Sequence, residues 1–303
     1  MITWIASFPR SGNTLLRLIL NRVFDVGTST IYSDDIQVAE LGNAVEIVGH
    51  TRRTTDADTF VNEMRNSRQM CFIKTHAPPS DDAPAIYVVR DGRSAVVSYA
   101  HYTRALGWAA ADIENILTGT AFGGMWSTHV YSWKPLTRPN TLVVRYEKLA
   151  AADPETIAAI GAFIEREPVA AFDVSFDALQ RVAPKFFRRG SDEANIAELE
   201  ANFPALFRLY NAPFMTMMGY AMPPLPDFEF ALREEVRKIV QKKAALETKA
   251  TSNALTAVQN FRVHGALVAA LAQDASKLVG RANPALREFG PFLPASATEA
   301  DTA

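Results

Sequence analysis

The chain has a single cysteine, Cys71, among its 303 residues. An internal disulfide framework is therefore excluded, and a reducing compartment suits it. No window reaches the ~18 uninterrupted apolar residues of a membrane span. The first strand is expected from residue 2, with no basic and apolar leader before it, so the reading is a cytoplasmic protein without a signal peptide. Charge of one sign is also missing: 31 Lys+Arg stand against 33 Asp+Glu, a formal net charge of −2. That leaves no bulk basic field to argue for nucleic acid. The five histidines (50, 76, 101, 129, 264) are scattered, and with one cysteine they form no cluster at metal-ligand spacing, so no metal is expected. No internal repeat is visible. What is present is 48 % hydrophobic content, ample for one sizeable core and an appendage.

The stretch Met1 to Arg17, MITWIASFPRSGNTLLR, organises the rest. Ile2 to Ser7 reads as a short buried strand, and Phe8 to Gly12 as a turn punctuated by Pro9 and Gly12. From Asn13 to Phe24 the apolar residues Leu15, Leu16, Ile19, Leu20 and Val23 fall at helical spacing. Strand, tight loop and helix together aim backbone N–H groups and the positive end of the helix dipole at one spot, which suits an anion. Arg10 adds a permanent charge, and Ser11, Asn13 and Thr14 add side-chain donors. The same segment also suits an ordinary strand-to-helix connection. It is not the nucleoside-triphosphate loop G-x-x-x-x-G-K-[ST], because Ser7 stands five residues before Gly12 and Asn13 follows it in place of Lys.

Further along, the apolar run Met70 to Lys74 reads as a strand that delivers Lys74 and His76 at its C-terminal end, where open α/β sheets bind ligands. An imidazole with an ordinary pKa near ~6.5 is suited to act as a base. Ala85 to Val89 is the next strand, leading to Arg90 and a helix over Ala95 to Tyr102 that carries Ser98. Trp126, His129, Val130 and Trp133 share one helical face and read as core. Thr141 to Arg145 is a strand followed by Tyr146. Asp153 and Pro154 open a helix running to about Ile164. Between residues 25 and 68 only a helix near Thr59 to Asn66 is expected, and Arg52 and Arg53 read as a solvated face.

Taken in order, these motifs resemble those of sulfotransferases that use 3′-phosphoadenosine-5′-phosphosulfate (PAPS). Phe8-Pro9-Arg10-Ser11-Gly12-Asn13-Thr14 is similar to the family's 5′-phosphosulfate loop. Leu15 stands where many cytosolic members carry Trp. Lys74-Thr75-His76 resembles the Lys-Thr/Ser-His-Leu-Pro motif, with Ala77 in place of Leu. Arg90 and Ser98 keep the eight-residue spacing of the 3′-phosphate site. Trp126 to Trp133, Tyr146-Glu147 and Phe187-Arg188-Arg189-Gly190 match further motifs, whereas Ser191 to Asn195 departs from the family's Gly-Asp-Trp-Lys-Asn. The resemblance spans about Ile2 to Tyr220. It implies a P-loop-NTPase-like α/β fold, a parallel sheet flanked by helices. It also implies sulfuryl transfer from PAPS to an acceptor hydroxyl, without metal.

By the same resemblance, His76 is the base. Arg10 and Lys74 stabilise developing charge. Backbone N–H groups from Ser11, Gly12, Asn13 and Thr14 hold the 5′-phosphate. Arg90, Ser98, Arg188, Arg189 and Gly190 hold the 3′-phosphate, and Tyr146 and Phe176 hold adenine. A small-molecule or glycan acceptor is expected. An ATP-dependent kinase on this fold would need the missing loop Lys. A non-catalytic PAPS-binding scaffold would not need Arg10, Lys74 and His76 together.

Ile196 to Tyr220 reads as helical, and Pro223-Pro224-Leu225-Pro226 as a break. Beyond it, Leu232, Val236, Ile239 and Val240 trace one helical stripe, and Leu255, Val258, Leu267 and Leu271 a second. The expected organisation is a sulfotransferase domain over 1–222, a C-terminal helical extension over 227–285 suited either to folding back on the domain or to pairing with another subunit, and a flexible tail over 286–303.

Overall fold

In the first strand, Ile2–Ser7 (β1), all six residues are buried, which is how a strand covered on both faces reads. A computed structural model describes residues 1–107, 112–172, 177, 180–181 and 191–247. They fall into two compact units, one spanning Met1–Ala201 and one beginning at Asn202.

The first unit holds a five-stranded sheet of β1, Thr28–Thr30 (β2), Cys71–Thr75 (β3), Ala85–Val89 (β4) and Thr141–Arg145 (β5). The order across the sheet is β2-β3-β1-β4-β5, and every pairing is parallel. The chain leaves β1 toward one edge, returns through β3, and crosses to the other edge through β4. The strand order therefore reverses at β1, the switch point at whose carboxyl end open sheets bind ligands. The sequence reading matches β1, β4 and β5 to the residue, and misses β3 by one position. β2 was not anticipated.

Helix Asn13–Phe24 (α1) packs Leu16, Ile19, Leu20, Val23 and Phe24 against Ile5, Phe72, Ile86, Val88 and Val144 of the sheet. Leu149 of Tyr146–Ala150 (α2) and Ile160 and Ile164 of Pro154–Ile164 (α3) complete that core. Asp153 caps α3 by accepting from the Thr156 amide at 3.0 Å, with Pro154 in the first turn. On the opposite face of β4, Tyr87 meets Trp133 and His129 of Trp126–Trp133 (α4). Side chains alternate across β4, so neighbours Ile86 and Tyr87 serve different layers.

Between β2 and β3 lie helices Asp34–Leu41 (α5), Val45–Val48 (α6) and Ala57–Asn66 (α7). Only α7 was expected. Gly92–Ala105 (α8) follows β4 and runs longer than its sequence signal at both ends. The expected continuous helix over 196–220 is instead two, Asp192–Asn202 (α9) and Pro204–Met217 (α10). Pro204 lacks an amide hydrogen and sits in the first turn of α10, where none is needed, while Pro213 is accommodated inside the same helix.

In the second unit, α10 is followed by Phe228–Glu247 (α11). Of its predicted stripe Ile239 is buried, but Val240 is 49 % exposed. Among the described residues no helix is long and apolar enough to cross a membrane. The second stripe at 255–271 and the tail lie outside the described residues.

Candidate functional site

All five strands deliver a polar or aromatic group at the same end of the sheet. The loop Phe8–Gly12 follows β1, Tyr32 follows β2, His76 follows β3, Arg90 follows β4 and Tyr146 follows β5. Parallel pairing makes this inevitable, since every strand ends on the same edge.

The loop turns sharply. Arg10 has φ +63° and Gly12 φ +108°, left-handed values that bring successive peptide N–H groups toward one side. A Cβ on Gly12 would sit 2.8 Å from Tyr146 Cδ2 and 3.3 Å from Val88 Cγ1, so only glycine fits. No side chain caps α1 at Gly12, and its first amides have no intrahelical acceptor. The Ser11 hydroxyl is buried and without a hydrogen-bond partner among the described residues. Asn13 is pinned by its Nδ2 donating to the Ile5 carbonyl at 2.9 Å, and Thr14 is buried. One expectation fails: the Ser11 amide donates to the Phe8 carbonyl at 3.1 Å, so its hydroxyl, not its N–H, is what remains for an anion. The Arg10 guanidinium lies over the Tyr102 ring, 4.6 Å from its centre.

His76 is half-buried, and its Nδ1 lies 2.7 Å from the Ser7 carbonyl. A carbonyl oxygen only accepts, so Nδ1 carries the hydrogen and Nε2 keeps a lone pair. The ring stacks on Tyr32, with centres 6.0 Å apart, and the His76 amide donates to the Tyr32 hydroxyl at 2.7 Å. Burial, then the Lys74 ammonium, with smaller contributions from His129 and Arg10, holds the His76 pKa well below the usual imidazole value. Lys74 is buried and donates to Gln37 Oε1 at 2.6 Å. Behind this pair, α4 steadies the turn after β3, with Trp133 Nε1 donating to the Ala77 carbonyl at 2.9 Å. His129 is core, as expected: its Nδ1 lies 2.8 Å from the Tyr87 hydroxyl, and burial lowers its pKa to about 3.

Gln37 also faces Arg17 Nη1 at 3.4 Å. Arg17 is fully buried, donates to Thr28 Oγ1 at 2.7 Å and lies 3.0 Å from His50 Nδ1; burial lowers its pKa to about 10. His50 in turn pairs with Asp34 at 3.0 Å, as does Arg53 at 3.2 Å. The expectation of a solvated arginine face is corrected here. Arg52 is exposed and paired with Asp35, but the Arg53 side chain is only 8 % exposed and donates to the Tyr32 carbonyl at 2.6 Å. Folding back of β2 and α5 buries Arg53, and no periodicity in the sequence announces that.

Arg90 is buried, its guanidinium 4.2 Å from the centre of the Tyr146 ring, and Nη1 donates to the Arg10 carbonyl at 2.9 Å. Nε and Nη2 both reach Asp192 Oδ1, at 3.0 and 2.5 Å. The Ser94 hydroxyl donates to the same oxygen. Ser98, which the sequence reading chose, lies one helical turn further along α8, and the contact between Ser94 and Asp192 was not anticipated. The expected sites Phe176, Arg188, Arg189 and Gly190 lie outside the described residues.

The site therefore brings together Arg10, Ser11, Gly12, Asn13 and Thr14 on one loop, Lys74 and His76 beside it, and Arg90 with Tyr146 across it. A family model described as the sulfotransferase domain matches residues 2–183. Luciferin sulfotransferase of Photinus pyralis is 27 % identical over 172 residues, covering 48 % of this chain and 46 % of that protein. Sulfotransferase 4A1 of Mus musculus is 25 % identical over 161 residues, covering 48 % of this chain and 53 % of its own length. The chain spans about half the length of the curated relatives it matches. Among solved structures, a mouse sulfotransferase, SULT7A1, complexed with PAP is similar at 21 % identity and a TM-score of 0.47, over 73 % of this chain and 89 % of that one.

Proposed function

We propose that this chain, which belongs to the sulfotransferase domain family, moves a sulfuryl group from PAPS to the hydroxyl of a small-molecule or glycan acceptor. The observation that carries the reading is the His76 ring, held through Nδ1–H on the Ser7 carbonyl at 2.7 Å so that Nε2 is the free basic atom, directly beside the loop. A general base must present a lone pair at neutral pH, and the lowered His76 pKa keeps it unprotonated there.

The loop fits a phosphate. Its buried Ser11 hydroxyl lacks a partner among the described residues, α1 is uncapped, and Gly12 leaves no room for a side chain. When bound, PAPS supplies an activated sulfuryl group on a 5′-phosphate leaving group. His76 Nε2 takes the acceptor's hydroxyl proton. Arg10 and Lys74 stabilise negative charge near the reacting centre, in surroundings dry enough to strengthen their field. The Gly12 to Thr14 amides and the Ser11 hydroxyl hold the 5′-phosphate, and Arg90 holds the 3′-phosphate. Tyr146 lies beneath Arg90 and orients the guanidinium.

Calorimetric titration with 3′-phosphoadenosine-5′-phosphate (PAP), beside 5′-AMP and ATP, tests this. PAP should bind at least roughly tenfold more tightly than 5′-AMP, since charge-assisted hydrogen bonds to a phosphate are worth about 1.5–3 kcal/mol, and Arg90→Ala should abolish the preference. Equal binding of the three nucleotides would overturn it.

A further inference from the structure

Three donors converge on one point beside β4: Arg90 Nε and Nη2 and the Ser94 hydroxyl, all directed at Asp192 Oδ1. The rest of Arg90 is committed. Its face lies on Tyr146, and Nη1 serves the Arg10 carbonyl. The Nε/Nη2 edge is the one that forks onto a carboxylate or phosphate. Ser94 is fully buried, and its oxygen accepts from Asn195 Nδ2 at 3.1 Å, which turns its hydrogen toward the same point. This is a built site for one anionic oxygen, and a carboxylate of the chain itself fills it.

We propose that Asp192 is an internal competitor for the nucleotide's 3′-phosphate, and that Arg90 with Ser94 forms the site for which the two compete. The inference rests on the PAPS reading of the same site. Nothing else in α9 requires the Asp192 carboxylate where it is. The helix is capped by Ser191, whose hydroxyl accepts from the Ala194 amide at 3.1 Å. Further along, α9 is tied to α8 without Asp192, through Glu198 to His101 at 2.8 Å and Glu200 to Arg93 at 3.6 Å. Asp192 can therefore leave without releasing the helix. Its side chain is 29 % exposed against 9 % for Arg90, so the carboxylate has water to move into while the guanidinium does not. A phosphate brings more charge and more acceptor oxygens to the same donors than a carboxylate does, and this drives the exchange. The exchange sets nucleotide affinity below what Arg90 alone would give, and favours departure of the spent 3′,5′-bisphosphate.

The test is PAP and 5′-AMP titration of the full chain and of Asp192→Asn. Loss of the competing carboxylate should tighten PAP roughly tenfold and leave 5′-AMP unchanged. The gain should vanish in Asp192→Asn/Arg90→Ala, and Ser94→Ala should weaken PAP in the Asp192→Asn background. If Asp192→Asn binds PAP equally well or more weakly than the parent, Asp192 is a support for Arg90 and the proposal falls alone. If neither protein prefers PAP to 5′-AMP, the nucleotide reading falls and takes this proposal with it.

Discussion

Gly12→Ala places one methyl group at the tightest point of the site, and its cost follows from two independent terms. At φ +108° an L-residue is strained, and left-handed backbone costs a non-glycine residue about 1–2 kcal/mol. The new Cβ also meets Tyr146 Cδ2 at 2.8 Å and Val88 Cγ1 at 3.3 Å. Val88 is in the sheet core and fully buried, so the Tyr146 ring must give way. Overpacking of this kind costs about 1–3 kcal/mol. The sum, about 2–5 kcal/mol, is a large part of a domain's stability of about 5–15 kcal/mol. Tyr146 also carries the Arg90 guanidinium 4.2 Å above its ring, so the displacement reaches Arg90. Urea denaturation should show a midpoint lowered by that free energy divided by the denaturant slope, and PAP affinity should fall in protein that remains folded. A Gly12→Ala variant with the parent midpoint and parent PAP affinity would refute both the loop geometry and its coupling to Arg90.

Other substitutions probe the scaffold around the site. Gln37→Leu removes the acceptor 2.6 Å from the buried Lys74 ammonium and should cost about 1–3 kcal/mol in urea denaturation. His129 has a folded-state pKa of about 3, below its ordinary value near ~6.5. Its stabilising contribution is therefore complete above ~6.5 and is lost as pH falls from there toward about 3. His129→Gln should flatten the stability-against-pH curve in that window, by up to about 1.4 kcal/mol per pH unit. In the second unit, Glu235 of α11 accepts from the Ala205 and Leu206 amides at 2.9 and 2.8 Å and so caps α10, which has no side-chain cap of its own. Glu235→Leu should destabilise that unit by about 1–3 kcal/mol, whereas Glu235→Gln should cost less, as thermal denaturation of the two variants will compare.

The strands β1, β4 and β5 could be read directly because a parallel strand buried on both faces is a short apolar run with clear breakers at its ends. Thr28–Thr30 could not: three polar residues make β2 only because pairing with β3 and the Arg17 side chain satisfies them. The loop, Lys74, His76 and Arg90 were visible as motifs because each lies within a few residues of a strand end. Arg53, Tyr32, Gln37 and Asp192 were not, since their partners lie 19 to 102 residues away in the chain. Ser94 and Ser98 share one helical face, so spacing alone carried no sign that Ser94 meets Asp192. Pro204 and Pro213 both fall in the periodic stretch and only the first stands at a helix start, so proline alone could not place the break.

The most direct test of the central claim is sulfuryl transfer from PAPS to a panel of phenols, aliphatic alcohols and sugars, followed as PAP release with the parent chain and with His76→Ala. The account predicts acceptor-dependent turnover that falls by roughly 10²-fold or more on substitution, with PAP affinity retained. Full turnover by His76→Ala would contradict the assignment of His76 as the base, and no acceptor-dependent PAP release by the parent chain would contradict sulfuryl transfer itself.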